Sequence, residues 1–277
     1  MVTVALPLDL LSPGFLALLG LPNDENSSYL RGSAKAPEAI RQALHCESSN
    51  LSTEDGGDLG SEVRFVDLGD LQQLDGIPYR YSIEETITAA LLRGASVLSL
   101  GGDHAISYPA LRAYAHHFGP LDVVHLDAHP DLYDELDGNR YSHACPFARA
   151  LEDGCIHRLI QVGIRTMNTP QRVQAAKYGV EVIDADSWTG VLPEGILYPL
   201  YISVDMDVLD PAFAPGVSHH EPGGLSTRDV VRLIHNLPVR PVGADLVELN
   251  PSRDGSGMSA MVAAKIVKEL AAAMLHG

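Results

Sequence analysis

The chain has 277 residues, of which 45% are hydrophobic and 20% charged, and its 19 basic and 36 acidic side chains give a formal net charge of −17. This acidic excess, without any run of Lys or Arg, argues against binding to nucleic acid or to an anionic membrane, because both need a concentrated basic face. It is compatible with a small cationic substrate, although solubility alone also favours an acidic surface.

Cysteine content and the N-terminal segment indicate the compartment. An odd number of cysteines without a CxxC pair predicts neither a disulfide framework nor a thiolate zinc site, and favours a reducing environment. The apolar start lacks a basic region and is interrupted by Pro7, Asp9 and Pro13, unlike a signal peptide or a membrane span. The sequence therefore predicts a cytoplasmic protein. The three cysteines are Cys46, Cys145 and Cys155.

Short apolar runs rich in β-branched residues alternate with helical patterns along the chain. This alternation is typical of a parallel sheet built from βα units. We predict an α/β fold with an eight-stranded parallel sheet and helices on both faces, in one domain over residues 1–277, because no linker divides the chain. The predicted strands are residues 2–5, 63–66, 96–100, 122–126, 159–162, 180–183, 200–204 and 242–247.

Three helices have clear signals at their ends or in their spacing. Thr169 followed by Pro170 begins a helix that ends at Gly179, and Ser226 caps another helix with Asp229 three residues later. Apolar residues at a spacing near 3.6 predict a last helix over residues 258–275 that packs one face on the sheet. The polar, Gly-rich residues 47–62 predict a surface loop.

Acidic and histidine residues follow four of the predicted strands. Ligands of open α/β sheets bind at the carboxyl ends of strands, so these positions are the candidate site. The first three segments are GGDHA, DAHPD and DMDVLD, and the fourth strand is followed by Glu248. Residues two apart in an extended segment point the same way, so each segment can direct its polar groups into one crevice. The converging residues are His104, Asp127, His129, Asp131, Asp205 and Asp207.

Four converging carboxylates cannot all remain ionised without cations, so the cluster predicts two divalent metal ions. Carboxylate and imidazole ligands without a thiolate favour Mn²⁺ or a similar ion. Each segment alone also fits a simpler explanation, because Asp after a strand often caps a helix or forms a turn, and a single His is often structural. Three segments together favour the metal site.

The segments LGGDHAIS, HLDAHPDLYD and SVDMDVLDPAFAPG together resemble the ureohydrolase family of arginases and agmatinases. The resemblance runs from about Pro22 to the C-terminus. GNRYSHACPFAR, NSSYLRGSAKAPEAIRQAL and the C-terminal third of the chain are similar to plant-type arginases in particular. The resemblance implies an arginase-like fold, two Mn²⁺ per chain, and a homo-oligomer that is commonly a hexamer or a trimer.

The resemblance also implies individual roles. His143 stands where the family has a catalytic histidine, and Glu248 where a carboxylate faces the substrate guanidinium. Asp131 is expected to accept a hydrogen bond from the nucleophile, whereas Asp103 and Asp210 match no ligand and are expected to orient or cap nearby groups. The implied ligands are His104, Asp127, Asp131 and Asp205 for one ion, and Asp127, His129, Asp205 and Asp207 for the other, with Asp127 and Asp205 bridging.

The implied activity is hydrolysis of a guanidino compound through attack of a metal-bridging hydroxide on the guanidinium carbon. L-Arginine, giving L-ornithine and urea, is the first candidate substrate. An agmatinase or a guanidino-acid hydrolase such as guanidinobutyrase is the enzymatic alternative. An inactive metal-binding scaffold protein is the non-enzymatic alternative, and the complete set of expected ligands and catalytic side chains argues against it.

Substrate specificity is the least determined property. Ala105 follows GGDH where the family usually has Ser, and residues 219–221 replace a GTPE-like stretch of many agmatinases, so specificity cannot be transferred from that subgroup. An enzyme for arginine needs polar groups for the α-carboxylate and the α-amino group. The candidate substrate-binding residues are Asn139, Ser142, His143, His219 and Glu248, of which Asn139, Ser142 and His219 equally fit an ordinary solvated loop.

Overall fold

Eight strands form one all-parallel sheet in the computed structural model, which describes residues 7–277. Most of the strands are predominantly apolar, as expected when both faces of a parallel sheet are covered. The strands are β1 (Leu16–Gly20), β2 (Phe65–Asp70), β3 (Ser96–Leu100), β4 (Leu121–Leu126), β5 (Ile156–Ile164), β6 (Glu181–Asp184), β7 (Leu200–Asp205) and β8 (Pro241–Val247).

The strand order is β2-β1-β3-β8-β7-β4-β5-β6. The four strands that are followed by acidic or histidine residues, β3, β8, β7 and β4, are therefore adjacent at the centre of the sheet. Since all neighbouring strands are parallel, their carboxyl ends lie along the same edge. This topology brings the four sequence motifs to one place.

Helices cover both faces of the sheet, as predicted. In β1, Leu16 and Leu18 pack in one apolar cluster while Ala17 and Leu19 pack in the other. The first cluster includes residues of α1 (Ala36–Leu44), α6 (Thr227–His235) and α7 (Met258–His276). The second includes residues of α2 (Tyr79–Leu91), α3 (Ser107–Phe118), α4 (Pro146–Glu152) and α5 (Thr169–Tyr178).

The sheet has the predicted eight strands, but one of them was not predicted. Seven predicted segments overlap observed strands, whereas the segment 2–5 lies outside the described residues. The strand that the sequence did not predict is β1, which consists of Leu, Ala and Gly rather than β-branched residues. Leu, Ala and Gly have a weak intrinsic preference for strands, and the burial of β1 between β2 and β3 overrides it.

The predicted helix signals are confirmed. Ser226 and Asp229 form a reciprocal capping box at the start of α6, and Gly179 ends α5 in the left-handed conformation with φ +67°. The side chain of Asn168, one residue before Thr169, provides the cap of α5. Within residues 7–277, no helix has both the length and the apolar character needed to cross a membrane.

Candidate metal centre

The imidazole of His104 faces three carboxylates at the carboxyl edge of the sheet. Its Nδ1 lies 3.3 Å from Asp127 Oδ2, 3.0 Å from Asp131 Oδ2 and 3.2 Å from Asp205 Oδ2. Adjacent ligands of an octahedral ion with bonds of about 2.1 Å lie about 3 Å apart, so this spacing suits one metal ion. The four residues are those that the family pattern implies for the first ion.

A hydrogen-bonded chain sets the proton position of His104. Its Nε2 lies 3.0 Å from Ser203 Oγ, and Ser203 donates its hydroxyl hydrogen to Asp245 Oδ1 at 2.7 Å. Because the Ser203 hydroxyl hydrogen is used in the bond to Asp245, the hydroxyl oxygen must accept the N–H of His104 Nε2. His104 Nδ1 then directs its lone pair at the three carboxylates, and it has no hydrogen-bond partner.

This arrangement attracts positive charge. Burial disfavours a charged His104, but the three carboxylates that face its Nδ1 outweigh burial and raise its pKa well above the ordinary value. The position therefore takes up either a proton or a metal cation. A buried nitrogen lone pair that converges with carboxylate oxygens is a donor set that fits a metal ion.

A second group of ligand candidates lies beside the first. His129 Nδ1 is 2.9 Å from Asp207 Oδ2 and 3.4 Å from Asp127 Oδ1. The two oxygens of Asp127 thus face different histidines, Oδ2 towards His104 and Oδ1 towards His129. Asp205 Oδ1 accepts the backbone N–H of Asp207 at 2.8 Å. The geometry fits two ion positions that share Asp127.

The electrostatics of the carboxylates also favour bound cations. Burial and the neighbouring carboxylates raise the pKa of Asp205 well above its ordinary value, and raise that of Asp207 to about 6. Burial acts the same way on Asp127, but the three histidines around it outweigh burial and lower its pKa well below the ordinary value. Two divalent ions would relieve the repulsion among these charges.

Tight backbone geometry holds the ends of the strands in place. A side chain at Gly102 would overlap the carbonyl oxygen of Asn23, so the GG pair allows an N-terminal loop to approach β3 closely. Asp103 caps the turn that carries His104 and accepts the backbone N–H of Asn26, and these contacts suit the orienting role that was predicted for it. Asp210 accepts the backbone N–H of Ala212 in its own turn and that of Gly223 in a later loop.

Asp131 and Glu248 both have positive φ, +50° and +62°. Non-glycine residues in this region are strained, and such strain concentrates at functional sites. Both are sequence-predicted site residues, and the positive φ is a property that the sequence alone did not reveal.

A line of hydrogen bonds lies next to the metal-ligand cluster. His143 Nδ1 is 2.9 Å from Glu248 Oε1, and His143 Nε2 is 2.9 Å from Ser28 Oγ. Glu248 Oε1 also accepts the backbone N–H of His104 at 3.0 Å, which connects this line to the cluster. Burial opposes both charges, but the pairing prevails: it raises the pKa of His143 to about 9 and lowers that of Glu248.

A cavity of about 200 Å³ opens onto the cluster and this line. The ring of His219 stacks on that of His143 at 5.4 Å and also lines the cavity. The remaining lining includes neutral polar groups on the side of β5 and α5. The polar lining residues are Ser28, His129, Asp131, Tyr133, His143, Thr166, Asn168, Gln171, Asp205, Asp207, His219 and Glu248.

Two predicted substrate-binding residues lie outside this lining. The amide of Asn139 donates to Asn26 and its oxygen accepts the backbone N–H of Tyr141. Ser142 is buried and lines a neighbouring cavity instead. Because neither residue lines the cavity that opens onto the cluster, we do not include them in the proposed substrate site.

The sequence did not single out four buried polar residues that support the cluster. Ser203 and Asp245 form the chain behind His104, and His125 and Gln161 lie behind Asp127. All four are buried polar residues inside strands. His125 and Ser203 also lie two residues before a predicted ligand, on the same face of the strand, and this alternation is a signal that identifies them.

The fold and the donor set define an α/β protein with a binuclear metal site at the carboxyl ends of four central strands. The chain belongs to the arginase family, whose model, described as "Arginase family", matches residues 15–273. This family includes hydrolases of guanidino C–N bonds, and the chain is a member of that class.

Relatives with known names place the chain near plant arginases. It is 48% identical over 274 residues to the mitochondrial arginase 1 of Arabidopsis thaliana, covering 92% of this chain and 80% of the relative. The solved arginase from Medicago truncatula superposes with a TM-score of 0.88 at 43% identity, covering 94% of this chain and 87% of that one. An agmatinase of Bacillus subtilis is 32% identical over 261 residues, covering 91% and 89% of the two chains.

These relatives correct the predicted localisation. The matched arginases of Arabidopsis, rice and Medicago truncatula are named mitochondrial, which points to an organelle and not to the cytoplasm. The prediction was wrong because free thiols indicate only a reducing environment, and they do not distinguish one such compartment from another.

Proposed function

We propose that this protein is a dimanganese arginase that hydrolyses L-arginine to L-ornithine and urea. The observation that supports it most is the convergence of His104 Nδ1 with three carboxylate oxygens beside a cavity that also contains Glu248. The 48% identity to a plant arginase over most of both chains supports the same substrate. At 32% identity, the agmatinase relative supports the alternative substrate less strongly.

The six predicted ligands would hold two Mn²⁺ per chain. Oxygen and imidazole donors without a thiolate suit Mn²⁺, and Asp127 and Asp205 would bridge the two ions. When bound, the ions would activate a water molecule and stabilise negative charge on the reacting group. Asp131 contacts His104 and lines the cavity, where its carboxylate can accept a hydrogen bond from that water.

Glu248 and His143 would act on the substrate itself. The carboxylate of Glu248 is a partner for the cationic guanidinium and would hold it over the cluster. His143 faces Glu248 through Nδ1, and in the metal-free protein this pairing raises the pKa of the ring to about 9. A protonated ring at this position can supply a proton to the departing amine.

The far side of the cavity would recognise the amino-acid end of arginine. Tyr133 and Thr166 offer hydroxyl groups there, so both donors and acceptors are available for a carboxylate and an ammonium group. His219, which lines the same cavity, would contact the substrate at the mouth. Agmatine lacks the carboxylate and would leave some of these groups without a partner.

We further propose that the protein is a homo-oligomer, either a trimer or a hexamer, with a small cationic guanidino compound as its ligand and with neither nucleic acid nor membrane as a partner. Tyr81 on α2 and Leu92, the residue that caps the C-terminus of α2, are exposed apolar side chains, and we propose them as candidates for subunit contact. Light scattering on the purified chain gives the subunit number.

Urea release by the full-length chain tests the proposal. We expect activity on L-arginine after loading with Mn²⁺, loss of that activity on exhaustive chelation, and recovery when Mn²⁺ is returned. Activity that survives complete metal removal would exclude the dimetal mechanism. A chain that takes up two ions but releases no urea from any guanidino compound would instead support the non-enzymatic scaffold.

A further inference from the structure

We propose that Gln161 and His125 are positioning residues: Gln161 fixes the tautomer of His125, and His125 then orients Asp127 to bridge the two metal ions. This inference rests on the proposed dimetal site. Both residues are fully buried, and they lie in the neighbouring strands β5 and β4, directly opposite each other.

The carbonyl of Pro130 determines how the amide of Gln161 is oriented. Gln161 Nε2 lies 2.6 Å from this oxygen, which can only accept a hydrogen bond. The reversed amide would place two oxygen atoms in contact there. The NH₂ group must therefore face Pro130, and one of its two hydrogens is used in this bond.

The second hydrogen of the Gln161 amide determines which ring nitrogen of His125 carries the proton. Gln161 Nε2 also lies 3.0 Å from His125 Nδ1, so Nδ1 must accept and carries no proton. The single ring hydrogen of His125 is therefore on Nε2, which donates to Asp127 Oδ2 at 2.8 Å. The orientation of a proline carbonyl thus determines the proton position beside the bridging carboxylate.

His125 supports the site without being a metal ligand. A ring nitrogen of His125 lies close enough to a ring nitrogen of His104 and a carboxylate oxygen of Asp127 for the three residues to form a ligand group. The tautomer, however, leaves no lone pair on Nε2 for an ion. The ring packs against Phe147, with centroids 4.0 Å apart, and is absent from the residues that line the cavity. A hydrogen-bond donor is the role that remains.

The two donors to Asp127 hold its carboxylate in one orientation. Oδ2 accepts from His125, and Oδ1 accepts the backbone N–H of His129 at 2.6 Å. Each oxygen keeps a further lone pair, one on the side of His104 and the other on the side of His129. Residues that orient a metal ligand in this way typically contribute about 10-fold to 100-fold to metal affinity.

Nuclear magnetic resonance of the full chain tests the tautomer directly. In metal-free and Mg²⁺-loaded protein, the ¹⁵N shifts of His125 should show a protonated Nε2 and an unprotonated Nδ1. The substitution Gln161→Met, which keeps the length of the side chain but removes both donors, should destroy this single-tautomer signature. A wild-type His125 that is protonated on Nδ1 would overturn the inference without any variant.

Mn²⁺ affinity, measured by calorimetry on folded protein, tests the consequence. Gln161→Met and His125→Leu should each weaken binding by about 10-fold to 100-fold, whereas His125→Gln, which returns an N–H near the Nε2 position, should recover most of the affinity. Gln174→Met is the matched control, because Gln174 is a buried glutamine on α5 outside the cavity lining.

Unchanged affinity in folded Gln161→Met, or equal losses in His125→Gln and His125→Leu, would overturn the proposal. Failure of the proposed function gives a different result. A chain that binds two ions with the predicted tautomer but does not hydrolyse arginine would contradict the arginase assignment and leave this inference intact.

Discussion

His143 Nδ1 lies 2.9 Å from Glu248 Oε1, which joins the loop before α4 to the residue that follows β8. Both side chains are buried, so neither charge is well solvated without the other. The pair raises the pKa of His143 to about 9 and lowers that of Glu248. One contact therefore links a predicted proton donor to a predicted guanidinium partner.

This pair predicts a pH-dependent contribution to the stability of the metal-free protein. Since the folded pKa of His143 exceeds the unfolded value of about 6.5, the contribution is complete below about pH 6.5 and is lost as the pH rises through about 9. The free energy of unfolding of wild type minus that of His143→Gln should fall over this range, by at most about 3 kcal/mol. A difference that stays constant with pH would contradict the assignment.

Replacing His143 by Ala should reduce turnover and leave metal content near normal. The side chain contacts Glu248 and Ser28, and none of its contacts is to a predicted ligand side chain. General acid or base groups typically contribute about 10² to 10⁴ in rate. Steady-state kinetics with parallel metal analysis checks this, and loss of an ion would place His143 among the ligands.

Glu248→Gln should mainly impair productive binding of the guanidinium, because it replaces a charge-assisted bond by a neutral one. We expect kcat/KM to fall by at least about tenfold, which corresponds to about 1.4 kcal/mol. Glu181→Gln is a suitable control, because Glu181 lies on the edge strand β6, where it pairs with Arg158. Unchanged kinetics in Glu248→Gln would remove this residue from the substrate site.

Substitutions of two ligands should differ in how many ions they affect. The carboxylate of Asp127 faces the imidazoles of both His104 and His129, whereas the carboxylate of Asp207 faces the imidazole of His129. Asp127→Asn should therefore disturb both metal positions, and Asp207→Asn should weaken one. Metal content after dialysis distinguishes them, and an equal loss of a single ion in both variants would refute the bridging role of Asp127.

The sequence predicted the ligand candidates better than the buried polar residues that support them. The six ligand candidates and Glu248 lie at the ends of strands, where local motifs and sheet topology together determine their positions. Gln161 and Asp245 are buried polar residues within strands, and their partners come from other strands. No local pattern indicates such pairings, because strand order and register create them.

Loops were predicted less well for a related reason. The segment GNRYSHACPF contributes His143 to the cavity. Asn139 of the same segment donates to Asn26 instead, and Ser142 lines a neighbouring cavity. In a loop there is no fixed period that assigns a side chain to one face. The contributions of Thr166 and Asn168 to the cavity depend likewise on how the segment after β5 turns back towards the cluster.

The ratio of kcat/KM for L-arginine to that for agmatine tests the proposed function most directly, because the two compounds differ only in the carboxylate remote from the reacting carbon. Measured on the Mn²⁺-loaded chain, the ratio should be at least about tenfold in favour of L-arginine, or about 1.4 kcal/mol of discrimination. Equal or faster turnover of agmatine, or activity confined to 4-guanidinobutyrate, would contradict it.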